Sequence, residues 1–334
     1  MSSYKLPVSI RTIGVGLVGT GYAAKLRAEA VKADPRANLL AIAGHDPQRT
    51  ANLALQYTTQ AMSSWQELVQ RPDLDLVIIS TINQDHGKIA QAALNHGKHV
   101  VVEYPLSLDV DEAKQLIALA KTVNKLLHVE HIELLGGWHQ TVKEYLQQLG
   151  DLFYIRYKTV NRQNPAPRKW SYNHDQFGFP LIGALSRLHR VIDVFGEVFS
   201  VNCHQRYWEV ESNYYQTCIC TAELCFSSGL LAQVVYGKGE TLWQSERKLE
   251  IHGHSGGLIL DGDKGILLQG EESQLIEVGT RRGLFNKDTS MVLDHLFDDH
   301  PLYVTPEQSL YTLQVADAAR RAAETGLTVF LTKE

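Results

Sequence analysis

Over the first 130 residues the hydrophobic positions fall in short, nearly unbroken runs separated by longer amphipathic stretches. The runs are residues 13–18 (IGVGLV), 38–43 (NLLAIA), 74–80 (LDLVIIS), 98–103 (KHVVVE) and 126–132 (LLHVEHI). Helical spacing follows the first run to about Ala33, occupies DPQRTANLALQY with Asp46 placed as its cap, continues to about His96 after the third run, and covers 109–124. Strands that alternate with helices imply crossover connections and a parallel sheet. Runs this apolar suit a sheet covered on both faces.

The pattern changes after about residue 135. Residues 152–160 (LFYIRYKTV) alternate apolar and polar, as do parts of 198–208, 214–226 and 230–237. Residues 246–278 read as short strands joined by Gly-rich turns such as HSGG and DGDKG. One helix over about 180–195 interrupts this region, and helices near 287–298 and 306–323 close the chain. The prediction is an α/β Rossmann domain over 1–134 and, over 135–334, a substrate-binding α+β domain with a large open, mostly antiparallel sheet.

Composition narrows the function. The chain has 334 residues, enough for two cores. Its 32 basic and 37 acidic residues give a net charge of −5, which lacks the footprint of a nucleic-acid binder. No apolar run approaches the roughly 20 residues of a membrane span, and residues 1–12 carry no apolar leader core, so a cytoplasmic enzyme without a membrane partner is expected. Monomer and small homo-oligomer stay open. The cysteines (203, 218, 220 and 225) read as small buried strand residues, because a lone CxC has no second pair to complete a zinc site.

The chemistry begins at GTGYAA. Gly19, Gly21 and Ala24 make GxGxxA directly after a strand and at the start of a helix, with Tyr22 inside the motif. Glycine permits the tight turn and the close approach of backbone to a pyrophosphate, and the helix N-terminus offers free N–H groups to the phosphates. The motif therefore predicts a nicotinamide dinucleotide. The second strand ends in Gly44, His45 and Asp46. Asp46 on a ribose hydroxyl would favour NADH, whereas His45 with Arg49 would suit the 2′-phosphate of NADPH. Asp46 followed by Pro47 has the form of a helix cap, so NADPH is preferred and NADH stays open.

STINQDH (80–86), GKHVVVEYP (97–105) and PLIGALSRLHRVIDVFG (180–196) resemble the Gfo/Idh/MocA oxidoreductase family along nearly the whole chain. That resemblance implies a Rossmann domain followed by an open-sheet domain carrying the substrate. By it, Thr81, Asn83 and His86 line the cofactor, with Asn83 and His86 alternatively serving to start a helix, and Glu103 orients the ribose or carboxamide. HVEHIELLGG (128–137), QNPAP (163–167), FGFPL (177–181), ALSR (184–187) and GTRRGLF (279–285) are similar to a bilin-reducing branch of the family. Members of that branch reduce biliverdin IXα to bilirubin.

Sugar and cyclitol dehydrogenases of the family oxidise alcohols and need a general base, supplied by a Lys, an Asp and a His. The resemblance sets Tyr104, Ser186 and Arg190 at those positions. Tyrosine ionises at roughly pH 10 and arginine above 12, so neither is an easy base near neutrality. Reduction of a conjugated substrate needs instead a cation near the carbon that receives hydride. Arg187 is the first candidate, with Arg190 one turn further on and Tyr104 beside the nicotinamide; two arginines also suit propionates. The alternative for both is a solvated helix face. A dehydrogenase of sugars or cyclitols, and a non-catalytic NADPH-sensing protein, are the competing functions. HxEH at 128–131 does not predict a metal, since His128 and Glu130 share a strand face that His131 does not. His131 is a candidate polar pocket residue, and Arg281 and Arg282 read as a solvated turn near the pocket mouth.

Overall fold

The computed structural model describes residues 12–331. Its first sheet contains β1 (Ile13–Val18), β2 (Ala37–Ala43), β3 (Gln60–Ala61), β4 (Leu76–Ile79), β5 (His99–Glu103) and β6 (Leu127–Glu130). They pair in parallel in the order β3-β2-β1-β4-β5-β6. Helices α1 (Tyr22–Ala33), α2 (Pro47–Gln56), α3 (Trp65–Gln70), α4 (Asn83–Asn95) and α5 (Val110–Thr122) make the crossovers. Every residue of β1 and β4 is buried, as a sheet covered on both faces requires. Strand order reverses between β1 and β4, which opens a crevice beyond their carboxyl ends.

Next come α6 (Gly137–Tyr145), α7 (His174–Phe177), α8 (Pro180–Gly183) and α9 (Ser186–Phe195). The second sheet holds β7 (Leu152–Arg162), β8 (Val198–Trp208), β9 (Thr217–Phe226), β10 (Leu231–Gly239), β11 (Glu246–Gly253), β12 (Gly256–Asp261), β13 (Lys264–Gln269), β14 (Glu272–Glu277) and β15 (Val329–Phe330). Their order is β14-β13-β12-β11-β7-β10-β9-β8-β15, with β7 and β10 parallel and every other pair antiparallel. Alternation decides the faces: Ile155 and Tyr157 of β7 are buried, whereas Lys158 of β7 pairs with Glu246 of β11 at 2.5 Å on the other side.

Two late helices join the halves. α10 (Leu284–Asp298) returns to the first sheet, where Val292 and Leu293 share a core with Val15, Leu17, Ala24, Ala28 and Val31. α11 (Pro306–Thr325) packs on α5, α9 and β8, so its buried alanines sit between the sheets. Among the described residues no helix is long and apolar enough to cross a membrane. Cys203, Cys218 and Cys220 are free and buried.

The segment expected as one helix over 180–195 is two. Gly183 lies against the Phe177 ring, where a Cβ would come within 2.6 Å, and the α8 turn closes through Gly183 N–H to Phe179 O and Ala184 N–H to Pro180 O. A new helix then starts at Ser186. The break places Ser186 and Arg187 in the first turn of α9, at the end that meets the crevice.

Candidate active site

The carboxyl ends of β1, β4, β5 and β6 open into a cavity of about 700 Å³. Gly19, Gly21, Tyr22, His45, Asp46, Arg49, Thr81, Asn83, His86, Glu103 and Tyr104 line it; Ala24 lies beneath, fully buried in the core. The motif's geometry fits a dinucleotide. Gly19 has φ +133°, and a Cβ there would approach Ser80 O to 2.1 Å, so the turn demands glycine. Gly21 caps α1 without any side-chain bond, and a Cβ on it would meet nothing within 4 Å. The first-turn N–H groups of α1 therefore face a space the fold leaves open, as a pyrophosphate needs.

At the second strand's tip the Asp46 side chain accepts from Arg49 N–H and caps α2. Its carboxylate serves the helix, as the Asp-Pro pair suggested. His45 Nε2 lies 2.8 Å from Asp85 Oδ2, and the His45 and Arg49 side chains remain largely exposed. Thr81 offers its backbone, the carbonyl lying 3.3 Å from His86 Nε2. His86 also bonds Pro105 O at 2.8 Å, and burial pushes its pKa below the ordinary value. The imidazole thus ties the loop after β4 to the loop after β5. Asn83 donates to Phe177 O at 3.1 Å, fixing α7 against α4. Both residues line the cavity and brace it together.

Glu103 meets a buried floor. Arg27 Nε donates to it at 2.8 Å and Arg27 also pairs with Asp288, which accepts from His128 at 2.8 Å and Tyr303 at 2.7 Å. Glu130 lies beside Glu103; burial first, then the Glu103 charge, raises its pKa well above the carboxylate range. His128 and Glu130 are thus absorbed by this network. Among the described residues no group of three or more His, Cys, Asp or Glu side chains is placed to hold a metal.

The reactive end is built by the first turn of α9 against β5. Arg187 Nη1 donates to Ser186 Oγ at 2.7 Å, and Ser186 Oγ donates to the Tyr104 hydroxyl at 3.0 Å. With Ser186 already donating to it, Tyr104 keeps its own proton for another acceptor. Burial raises the Tyr104 pKa, so the hydroxyl stays protonated. Burial works against the Arg187 charge, yet Tyr104, Tyr157, Tyr236 and Glu133 hold the guanidinium above its ordinary pKa. Tyr104 stacks on His131 with ring centroids 5.4 Å apart, and His131 lies 3.8 Å from His189. His189 bonds Thr312 at 3.1 Å and burial drives its pKa down to about 4. His131 is likewise buried and its pKa lowered. Neither imidazole is a serviceable base for an alcohol.

Arg190 is buried and donates to Glu133 at 2.6 Å, with its guanidinium 5.9 Å from the Trp138 ring. Neither Arg187 nor Arg190 belongs to the cavity lining; α9 meets it through Ser186 on the lining residue Tyr104. Arg281 stays exposed on the turn before α10 yet reaches Glu133, and both line the cavity; Arg282 is exposed as well.

Several residues here escape sequence reasoning. Lys169, Trp170 and Ser171 line the cavity from the loop after β7. Behind them Lys238 holds Ser171 O, its ammonium 3.4 Å from the Phe177 ring centroid, and burial lowers its pKa to about 7. The neighbouring QNPAP segment entered only as part of the resemblance, and nothing local marks Lys238.

The site is that of a two-domain nicotinamide oxidoreductase whose proton-handling residues are unusual. Residues 13–131 match the model of an oxidoreductase family with an NAD-binding Rossmann fold, and residues 143–331 match the same family's C-terminal alpha/beta domain. The chain belongs to the Gfo/Idh/MocA oxidoreductase family. It is 50% identical to a biliverdin reductase from Synechocystis solved with biliverdin and NADP+, with TM-score 0.92 over 93% of this chain and 99% of that one. It is 26% identical to mouse biliverdin reductase A over 314 residues, 93% of this chain and 96% of that protein. With the uncharacterised Escherichia coli oxidoreductase YdgJ it shares 35% over 146 residues, 43% of this chain and 42% of that protein.

Proposed function

We propose that this protein reduces biliverdin IXα to bilirubin with NADPH. The observation that carries the reading is the Arg187–Ser186–Tyr104 chain, which meets the cavity at Tyr104. It provides a fixed cation and a protonated phenol where alcohol dehydrogenation would need a base. Likeness at 50% identity to a structure holding biliverdin and NADP+ supports the same pigment and cofactor.

In this reading the bound nicotinamide supplies hydride to the electron-poor bridging carbon of the pigment, and a proton goes to a pyrrole nitrogen. Gly19, Gly21 and the start of α1 receive the pyrophosphate. His45 and Arg49 receive the 2′-phosphate, since Asp46 is committed to capping α2. Arg187 stabilises the negative charge that develops on the pigment as hydride arrives. Tyr104, held by Ser186, orients against the pigment face. The sugar or cyclitol dehydrogenase reading finds no serviceable base beside Tyr104, because the buried imidazoles there are weakly basic.

The test is an absorbance assay with biliverdin IXα and each nicotinamide in turn. Loss of the red band with growth of the bilirubin band, faster with NADPH, is the expected result. No spectral change with either cofactor from acidic to neutral pH contradicts the proposal.

A further inference from the structure

Around Glu133 and Arg281 the cavity wall carries a charge imbalance that hydride transfer does not use. Glu133 takes Arg190 Nη2 at 2.6 Å and Arg247 Nη2 at 3.0 Å on one oxygen, and Arg281 on the other. Arg187 adds a fourth positive charge in range of it. The arginines overcome the burial of Glu133 and bring its pKa down to about 2. One carboxylate against four guanidiniums leaves about three positive charges uncompensated. Arg190 Nε and Nη1 and Arg187 Nε are buried without a hydrogen-bond partner. Unpaired buried donors of this kind are costly and are met by ligands where a site exists.

The three pairs are not equivalent. Arg190 is 2% exposed, and the Arg247 guanidinium carbon lies 4.3 Å from the Trp138 ring centroid, so packing fixes both. The Arg281 side chain is 57% exposed on the turn before α10, and it lines the cavity together with Glu133. We propose that Arg281 is the receptor for a substrate carboxylate, which it takes up in exchange for Glu133, while Arg190 and Arg247 keep Glu133 neutralised behind it. This rests on the bilin reading and deepens it: a propionate of the pigment is the ligand. A planar fork on an exposed side chain suits a carboxylate. The surplus positive charge draws a dianionic substrate to the mouth.

The probes are biliverdin IXα and its dimethyl ester, titrated by tryptophan fluorescence with NADP+ present, and turned over with NADPH. The wild type should bind the diacid at least about tenfold more tightly than the ester, the ratio expected for one charge-assisted hydrogen-bonded pair. Arg281→Gln should reduce that ratio towards one by weakening the diacid alone, and Arg281 is exposed enough for the variant to fold. Arg282→Gln, on the neighbouring exposed residue, should leave the ratio as in the wild type. Glu133→Gln should tighten the diacid, because Arg281 then has no resident partner. Equal binding of acid and ester by the wild type overturns the proposal. So does equal weakening of both by Arg281→Gln, an Arg282→Gln effect of the same size, or weaker diacid binding by Glu133→Gln. Discriminating binding without bilirubin formation would remove the reductase reading and leave the carboxylate site standing. Turnover without discrimination would do the reverse.

Discussion

Arg187→Ala is the perturbation whose size the geometry best defines. Arg187 is half-buried as a residue, and its guanidinium is fixed to Ser186 at 2.7 Å and lies 5.9 Å from the Tyr236 ring centroid. It is therefore oriented before the pigment arrives and pays no reorganisation during the reaction. A unit charge about 4 Å from developing charge is worth roughly 4 kcal/mol at an effective dielectric constant near 20. Loss of one preorganised donor at an oxyanion site costs roughly 3–4 kcal/mol, about a hundredfold to a thousandfold in rate, so two arguments converge. The interaction grows in the transition state, so kcat should fall by that factor while KM for biliverdin changes little. Arg187→Lys should recover part of the rate, because the charge remains but the fork to Ser186 is lost. Tyr104→Phe should cost less than Arg187→Ala if the ring mainly faces the pigment, and as much if its hydroxyl delivers the proton. Steady-state bilirubin formation under saturating NADPH reads all three. A wild-type kcat with only a raised KM in Arg187→Ala would refute the electrostatic role and leave an anchoring one.

Three further outcomes follow from the same geometry. Gly21→Ala should fold with an unchanged melting temperature, since its Cβ meets nothing within 4 Å, yet weaken NADPH on the order of tenfold or more by filling the phosphate approach; normal NADPH affinity would refute that use of the space. His45→Asp should lower kcat/KM with NADPH more than with NADH, and a wild type preferring NADH would instead assign the ribose to Asp46. His189, its pKa brought from 6.5 to about 4 by burial, is neutral in the fold while the unfolded chain protonates first, so stability falls as pH drops from 6.5 to 4. His189→Gln should flatten that window of the thermal denaturation profile by about 3 kcal/mol at most, and an unchanged acid profile would contradict the buried-neutral assignment.

Local pattern made much of this readable. The five strong parallel strands and the GxGxxA turn follow from unbroken apolar runs and from glycine at the turn, and strand β8 spans 198–208 as its alternation implied. β3, with two exposed residues, and α3, with six residues, carry too little periodicity to stand out. The break before Ser186 depends on Gly183 meeting Phe177, a contact invisible in a window of apolar residues. In the site, Tyr104 and Arg187 were singled out through the family resemblance, with Tyr104 directly after β5 and Arg187 in the first turn of α9. Glu133, Arg247 and Lys238 were not, since each acquires its role from partners distant in sequence, as Glu133 does from Arg247 and Arg281. The same holds for Arg27, whose partners Glu103 and Asp288 lie 76 and 261 residues further along the chain.

The central claim is hydride delivery from the nicotinamide to the pigment in this cavity, and isotopic labelling tests it most directly. The purified chain is given biliverdin IXα and NADPH carrying deuterium on the transferable face of the nicotinamide, and the pigment product is analysed by mass spectrometry and proton NMR. The account predicts bilirubin bearing one deuterium at the central bridging carbon, with the label from one face of NADPH and absent from its other face. Unchanged biliverdin, or a bleached pigment that carries no deuterium at that carbon, would contradict it.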